Sequence, residues 1–206
     1  MLKGCGVLGP LSLEKFPVVQ LCTMNEPFLP NLRTLDFWRI EGSFVPFIPL
    51  FLSPRTTYIS LEFLGSYLPE AMIASMVTTL PTLCPDLQEI TLDCLPRGPM
   101  ITAAVSEMVL AINQNTLQNL YVDSPLTEEA NEVIYKLPNL RDLTVVIERE
   151  TSLPSASLPG LTELKITCDD EGGWPGLFHG ATFGKLKTVY FFPESEQIGD
   201  FLGTFK

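Results

Sequence analysis

The chain has one histidine, His179, so any Ser-His-Asp or Cys-His arrangement would have to be built on it. It stands in the run Gly172-Gly173-Trp174-Pro175-Gly176-Leu177-Phe178-His179-Gly180 with no partner motif nearby, and reads as a surface-loop histidine. The five cysteines, Cys5, Cys22, Cys84, Cys94 and Cys168, are odd in number and contain no Cys-x-x-Cys pair. That indicates neither a zinc site nor a disulfide framework. They read as small buried hydrophobes of a reducing compartment. The acidic run Asp169-Asp170-Glu171 lacks the alternating oxygen ligands of an EF-hand loop and reads as a solvated turn. There is no phosphate-binding glycine loop. The expectation is therefore no enzyme, no metal and no cofactor.

Binding chemistry is the alternative, and charge bounds it. A net charge of -11 disfavours nucleic acid and anionic membranes, both of which want a basic surface. Met1 to Pro10 carries one lysine and no apolar run of signal-peptide length. The greasiest stretch, Phe44 to Leu52, contains Pro46 and Pro49 and is too short to span a bilayer, which takes about 20 residues. No Asn-X-Ser/Thr acceptor occurs. A cytoplasmic or nuclear location is expected.

What positions any binding residues is a repeat. The pattern Leu-x-x-Leu-x-Leu starts at Leu8, Leu32, Thr56, Leu87, Leu117, Leu140, Leu161 and Leu186. Of its 24 triplet positions 23 are apolar, the exception being Thr56, where a chain 46% hydrophobic would give about half that. Three copies open alike, as Leu29-Pro30-Asn31-Leu32, Leu137-Pro138-Asn139-Leu140 and Leu158-Pro159-Gly160-Leu161. The alternation predicts a half-buried strand in each copy, centred near Leu11, Leu35, Ile59, Ile90, Leu120, Leu143, Leu164 and Val189. One such strand cannot bury its face alone, so stacked copies must share one core.

The return paths are legible too. Pro69 starts a helix with Met72, Ile73, Met76, Val77 and Leu80 inward, and Pro99 another with Ile101, Val105, Met108 and Ile112 inward. Leu126, Ala130, Val133, Ile134 and Leu137 mark a third. The intervals around Arg149 to Ser157 and Asp169 to Gly184 suit loops. Glu194 to Lys206 suits a closing helix with Ile198, Phe201, Leu202 and Phe205 on one face. The expected architecture is α/β: one domain spanning residues 1–206, a curved leucine-rich-repeat solenoid of about eight irregular repeats. Its parallel sheet lies on the concave side and its helices and loops on the convex side.

The third, fifth and seventh positions of each repeat then point outward on the concave face. Eight of these 24 positions are acidic: Glu14, Asp36, Glu62, Glu89, Asp93, Asp123, Asp142 and Glu163. The chain as a whole has 24 acids among 206 residues, so acids are concentrated there. Only Lys165 is basic, and Trp38, Tyr58, Tyr121, Tyr190 and Phe192 are aromatic. Carboxylates steer a basic partner and aromatics anchor it. The candidate protein-binding residues are Asp36, Trp38, Tyr58, Glu62, Glu89, Asp93, Tyr121, Asp123, Asp142 and Tyr190. Exposed strand positions of an acidic protein favour such residues anyway, which is the plainer reading.

Irregular repeats of this length with Leu-Pro-x-Leu-x-x-Leu-x-Leu openings resemble the leucine-rich-repeat region of fungal F-box proteins, along essentially the whole chain. The resemblance implies the substrate-recognition repeats of an SCF-type ubiquitin ligase receptor. It also implies a Skp-type adaptor as partner where an F-box is encoded upstream, since Leu8 already belongs to a repeat. The alternative is a repeat scaffold with no ubiquitin role, such as a regulatory or immune-type receptor fragment. The Asn or Cys expected three residues past the third leucine is absent; Phe16, Ile40, Leu64, Leu95, Pro125, Glu148, Asp169 and Glu194 stand there.

Overall fold

The computed structural model describes residues 2–3, 27–64, 69–147, 158–168 and 184–193. Eight strands form one all-parallel sheet in sequence order. They are β1 (Leu2–Lys3), β2 (Thr34–Ile40), β3 (Tyr58–Phe63), β4 (Glu89–Asp93), β5 (Asn119–Pro125), β6 (Asp142–Ile147), β7 (Glu163–Cys168) and β8 (Thr188–Pro193). Among the described residues the connections hold a 3-10 helix (Val45–Phe51) and three α-helices: α1 (Glu70–Leu83), α2 (Pro99–Ala111) and α3 (Glu128–Ile134). Each strand neighbours the next in sequence.

The central apolar residues stand in direct register. Leu35 faces Ile59, Ile59 faces Ile90, and the row continues through Leu120, Leu143 and Leu164 to Val189. A backbone ladder beside them joins one repeat to the next. The Arg33 carbonyl accepts from the N–H groups of Thr57 and Tyr58. The carbonyls of Thr57, Gln88, Gln118, Arg141 and Thr162 do the same for the pair of N–H groups that follows, at 2.7–3.3 Å. One carbonyl, at the second position of each repeat, thus serves two donors that would otherwise be orphaned as the chain enters the strand. The turn before the strand is closed by Leu32 N to Leu29 O at 3.0 Å and Leu161 N to Leu158 O at 3.3 Å. Proline at the second place of each turn fits, because its fixed φ presets that position.

One cluster of buried hydrophobics joins this row to the helices, with Ile73, Val77, Leu80, Ile101, Val105 and Met108 all essentially inaccessible. Proline punctuates both long helices as expected: Pro69 is the N-cap of α1, and Pro99 opens α2. The third helix is shorter than its apolar spacing suggests. Its N-cap Thr127 accepts from Ala130 N at 3.4 Å. Phe44 to Leu52 contains the whole 3-10 helix, and Phe37 of β2 packs edge-on against Phe44 and Phe51 at 5.3 and 5.6 Å.

The pattern is overruled in three places. The edge beside β2 is held by Leu2–Lys3, with Leu2 opposite Leu35, a pairing the repeat spacing does not predict. An edge strand has one neighbour to fix its register, so the repeat spacing constrains it least. At the other edge Val189 is 38% exposed, while Leu164 is 2% exposed, because β8 pairs on one side only. The single polar triplet residue, Thr56, is fully buried: its hydroxyl donates to Leu32 O at 3.1 Å and accepts from Ser53 N at 3.1 Å. Several expectations lie outside the described residues: the Leu8-Leu11-Leu13 copy with Glu14, the loops at 148–157 and 169–183 with Asp169-Asp170-Glu171 and His179, and the closing helix at 194–206.

Candidate functional site

Strand pairing converts the outward positions into rows across the sheet. The third-position row runs Thr34, Tyr58, Glu89, Asn119, Asp142, Glu163, Thr188. The fifth-position row runs Asp36, Ser60, Thr91, Tyr121, Thr144, Lys165, Tyr190. In the seventh-position row Glu62 pairs with Asp93, and Asp123 occupies the same repeat position on β5. That row stops at β5. The β5–β6 pairing shifts between Tyr121 and Pro125, and the seventh position on β6 is Val146, apolar and buried.

The ten candidate residues are all half-buried or exposed on strands of this one sheet, and seven of them fall into three groups. At the β2 end, Trp38 is 59% exposed and its indole N–H donates to Asp36 Oδ1 at 2.7 Å. In the centre, Tyr58, Glu89, Tyr121 and Asp142 line a shallow depression of about 220 Å³ together with Thr91, Asn119, Thr144, Glu163 and Lys165. At the β8 end, the Tyr190 ring lies 5.4 Å from the Lys165 ammonium. The sheet therefore does not gather the aromatics into one cluster; Trp38 and Tyr190 flank the centre from opposite ends.

The central electrostatics are those of crowded acids. Glu62, Asp93 and Asp123 all raise the pKa of the Cys94 thiol, after desolvation, which is the largest cause. Three carboxylates thus share one neighbourhood. Cys94 itself is exposed, which corrects the packing role expected for it. It has left-handed backbone, φ 55°, and its N–H donates to Asp93 Oδ1 at 2.8 Å, so it serves as a turn at the strand end. Cys84, by contrast, is buried and its thiol is pushed up to about 11 by burial, so it is unreactive. Tyr121 is pushed up by burial first and by the Asp93 carboxylate second. Lys165 offsets one acid of the depression through a 2.8 Å pair with Glu163 Oε1. Asp142 accepts from the Thr162 hydroxyl at 3.1 Å.

Thr91, Asn119 and Thr144 were not singled out in the sequence, because a count of acids and aromatics passes over neutral polar residues. Their signal is the register, which sets them between the acids. Among the described residues no group of three or more His, Cys, Asp or Glu side chains is placed to hold a metal ion. No described helix is long and apolar enough to cross a membrane. No known family model, no curated protein and no solved structure matches the chain.

Proposed function

We propose that the chain is a leucine-rich-repeat solenoid that binds a basic segment of another protein on the open face of its sheet, and that it is not an enzyme. The observation that carries this reading is the alignment of acids and aromatics into rows on the face opposite the helices. A continuous core needs only the inward residues, so the outward rows are not required to hold the repeats together. A half-buried tyrosine held by hydrogen bonding presents its ring at small entropic cost, and the surrounding carboxylates raise the encounter rate of a cation. The resemblance to F-box proteins gives that partner the role of a ubiquitin-ligase substrate.

Fluorescence anisotropy with a lysine-rich and a glutamate-rich peptide tests the binding reading. Salt-sensitive binding of the first alone supports it; no binding, or binding of the second, removes it. The gene upstream of Met1 tests the ligase role. An F-box encoded there supports it, whereas a nucleotide-binding domain replaces it with a regulatory scaffold.

A further inference from the structure

Six acids of the open face form two rails, with a lane between them that is uncharged from β3 to β6 and is followed on β7 by Lys165, paired with Glu163 of the second rail. One rail, Glu62, Asp93 and Asp123, lies at the seventh position on β3, β4 and β5. The other, Glu89, Asp142 and Glu163, lies at the third position on β4, β6 and β7, with Asn119 on β5 between its members. The lane is Ser60, Thr91, Tyr121 and Thr144, none of them charged. Third and seventh positions are four residues apart, so the rails run about 13 Å apart at roughly 3.3 Å per residue. Within a rail, adjacent strands set the pitch at about 4.8 Å.

These two lengths discriminate between occupants. An α-helix with its side chains is about 10–12 Å across, which fills the lane and brings lysines on both flanks to the rails. Its same-flank residues recur about every 5.4 Å, close to the rail pitch. An extended chain repeats each side only about every 6.6 Å and falls out of step with the rail within two or three carboxylates. The rails together cover β3 to β7, about 19 Å, or roughly 13 residues of helix. Tyr121 forms the floor of the lane, half-buried and fixed by Asp93.

We infer that the partner segment is an α-helix lying across the strands along the lane of Ser60, Thr91, Tyr121 and Thr144, with basic residues on both flanks to meet the two rails. The inference rests on the binding reading above and adds the conformation and charge pattern of the partner.

Three labelled alanine-based peptides of equal length and charge, each about 20 residues so that a helix is sustainable, test it by fluorescence anisotropy on the full chain. One places lysines on two flanks of a helix, one places them on a single face, and one carries the same lysines interrupted by proline. The two-flank helix should bind at least about tenfold more tightly than either control, a difference of about 1.4 kcal/mol. The variant E62K/D93K/D123K should lose that preference, and a peptide with glutamates on one flank should bind the variant but not the original chain. Thermal melting establishes that the variant is folded; if it is not, the three-peptide comparison on the original chain decides alone. Equal affinity for all three peptides overturns the helix while leaving the face as a cation-binding surface. Absence of salt-sensitive binding by any of them overturns both.

Discussion

The Tyr121 hydroxyl donates to Asp93 Oδ1 over 3.1 Å, linking β5 to β4 across 28 residues of sequence on the open face. Burial and then the neighbouring carboxylate both disfavour the tyrosinate, so the folded-state pKa lies above the ordinary value of about 10. Tyr135 is raised by burial alone. The sign follows from linkage: a raised folded pKa gives stability that is complete below the unfolded pKa and is lost as pH climbs through the folded one. Stability should therefore fall on the alkaline side, above about pH 10. Tyrosinate absorbance should show Tyr121 and Tyr135 ionising late, and Tyr121→Phe should remove one of these late steps. A wild-type titration in which all the tyrosines ionise together in the ordinary range would contradict this.

Leu120 and Tyr121 are adjacent in β5 but face opposite sides. Leu120 is 2% exposed within the core row, whereas Tyr121 is half-buried on the open face. Leu120→Ala removes methyl groups from a packed interior and should cost about 2–5 kcal/mol. Tyr121→Ala loses mainly a partly exposed ring and one hydrogen bond, the bond contributing about 1 kcal/mol. Denaturant titration should separate the two variants clearly. Equal midpoints would mean that the faces are assigned the wrong way round.

The fold was legible because its main determinant is a spacing. Apolar residues at fixed offsets dictate strand, face and register together, and the row from Leu35 to Val189 follows that spacing. What was not legible depends on geometry between repeats. Nothing in the sequence marks the β5–β6 shift between Tyr121 and Pro125, next to which the seventh-position rail ends at Asp123. Left-handed backbone at Cys94 and at Arg39, φ 55° and 57°, is not signalled by glycine. The site was legible as an excess of acids and aromatics, but its organisation into two rails and a lane needs the pairing of strands. The neutral residues of the lane carry no signal until that pairing is known.

Thr56 breaks the triplet pattern, and the sequence alone suggests that leucine would serve better there. The structure argues the reverse. Thr56 and Ser53 hydroxyls both donate to Leu32 O, at 3.1 and 3.0 Å, and Ser53 N donates to Thr56 Oγ1. Thr56→Leu would leave Ser53 N without its acceptor in a buried site and would press a larger side chain against Ser53. An unsatisfied buried donor costs about 1–3 kcal/mol. The variant should melt at lower temperature than the original chain; a gain in melting temperature would show that the polar node is dispensable.

Gly160 closes the turn before β7 where the preceding repeat comes close. A Cβ there would stand 2.9 Å from Leu140 O and 3.2 Å from Pro138 O, both backbone atoms that cannot swing aside. The same place in two other turns is held by Asn31 and Asn139, so the need for glycine is particular to this junction. Gly160→Ala should therefore destabilise the chain by about 1–3 kcal/mol through forced displacement of the backbone. Denaturant unfolding checks it, and an unchanged or raised midpoint would show that the repeats can part at this point without loss.

Binding to a basic partner should be governed by charge in its rate and by the aromatic in its lifetime. Exposed carboxylates act on encounter, and their field is screened within about 8–10 Å at physiological ionic strength. Reversing Glu89, Asp93 and Asp123 together should slow association of the two-flank lysine peptide and flatten its salt dependence. Tyr121→Phe keeps the ring in the lane and should leave dissociation nearly unchanged. Tyr121→Ala removes the anchor and should speed dissociation with little effect on association, because contact is made only in the bound state. Reversal of Glu107, exposed on α2 away from the sheet, should do neither. Stopped-flow mixing and chase resolve the two rates. If the Glu107 reversal slows association as much as the triple reversal does, the attraction belongs to net charge, and the acids of the open face are only a solvated surface.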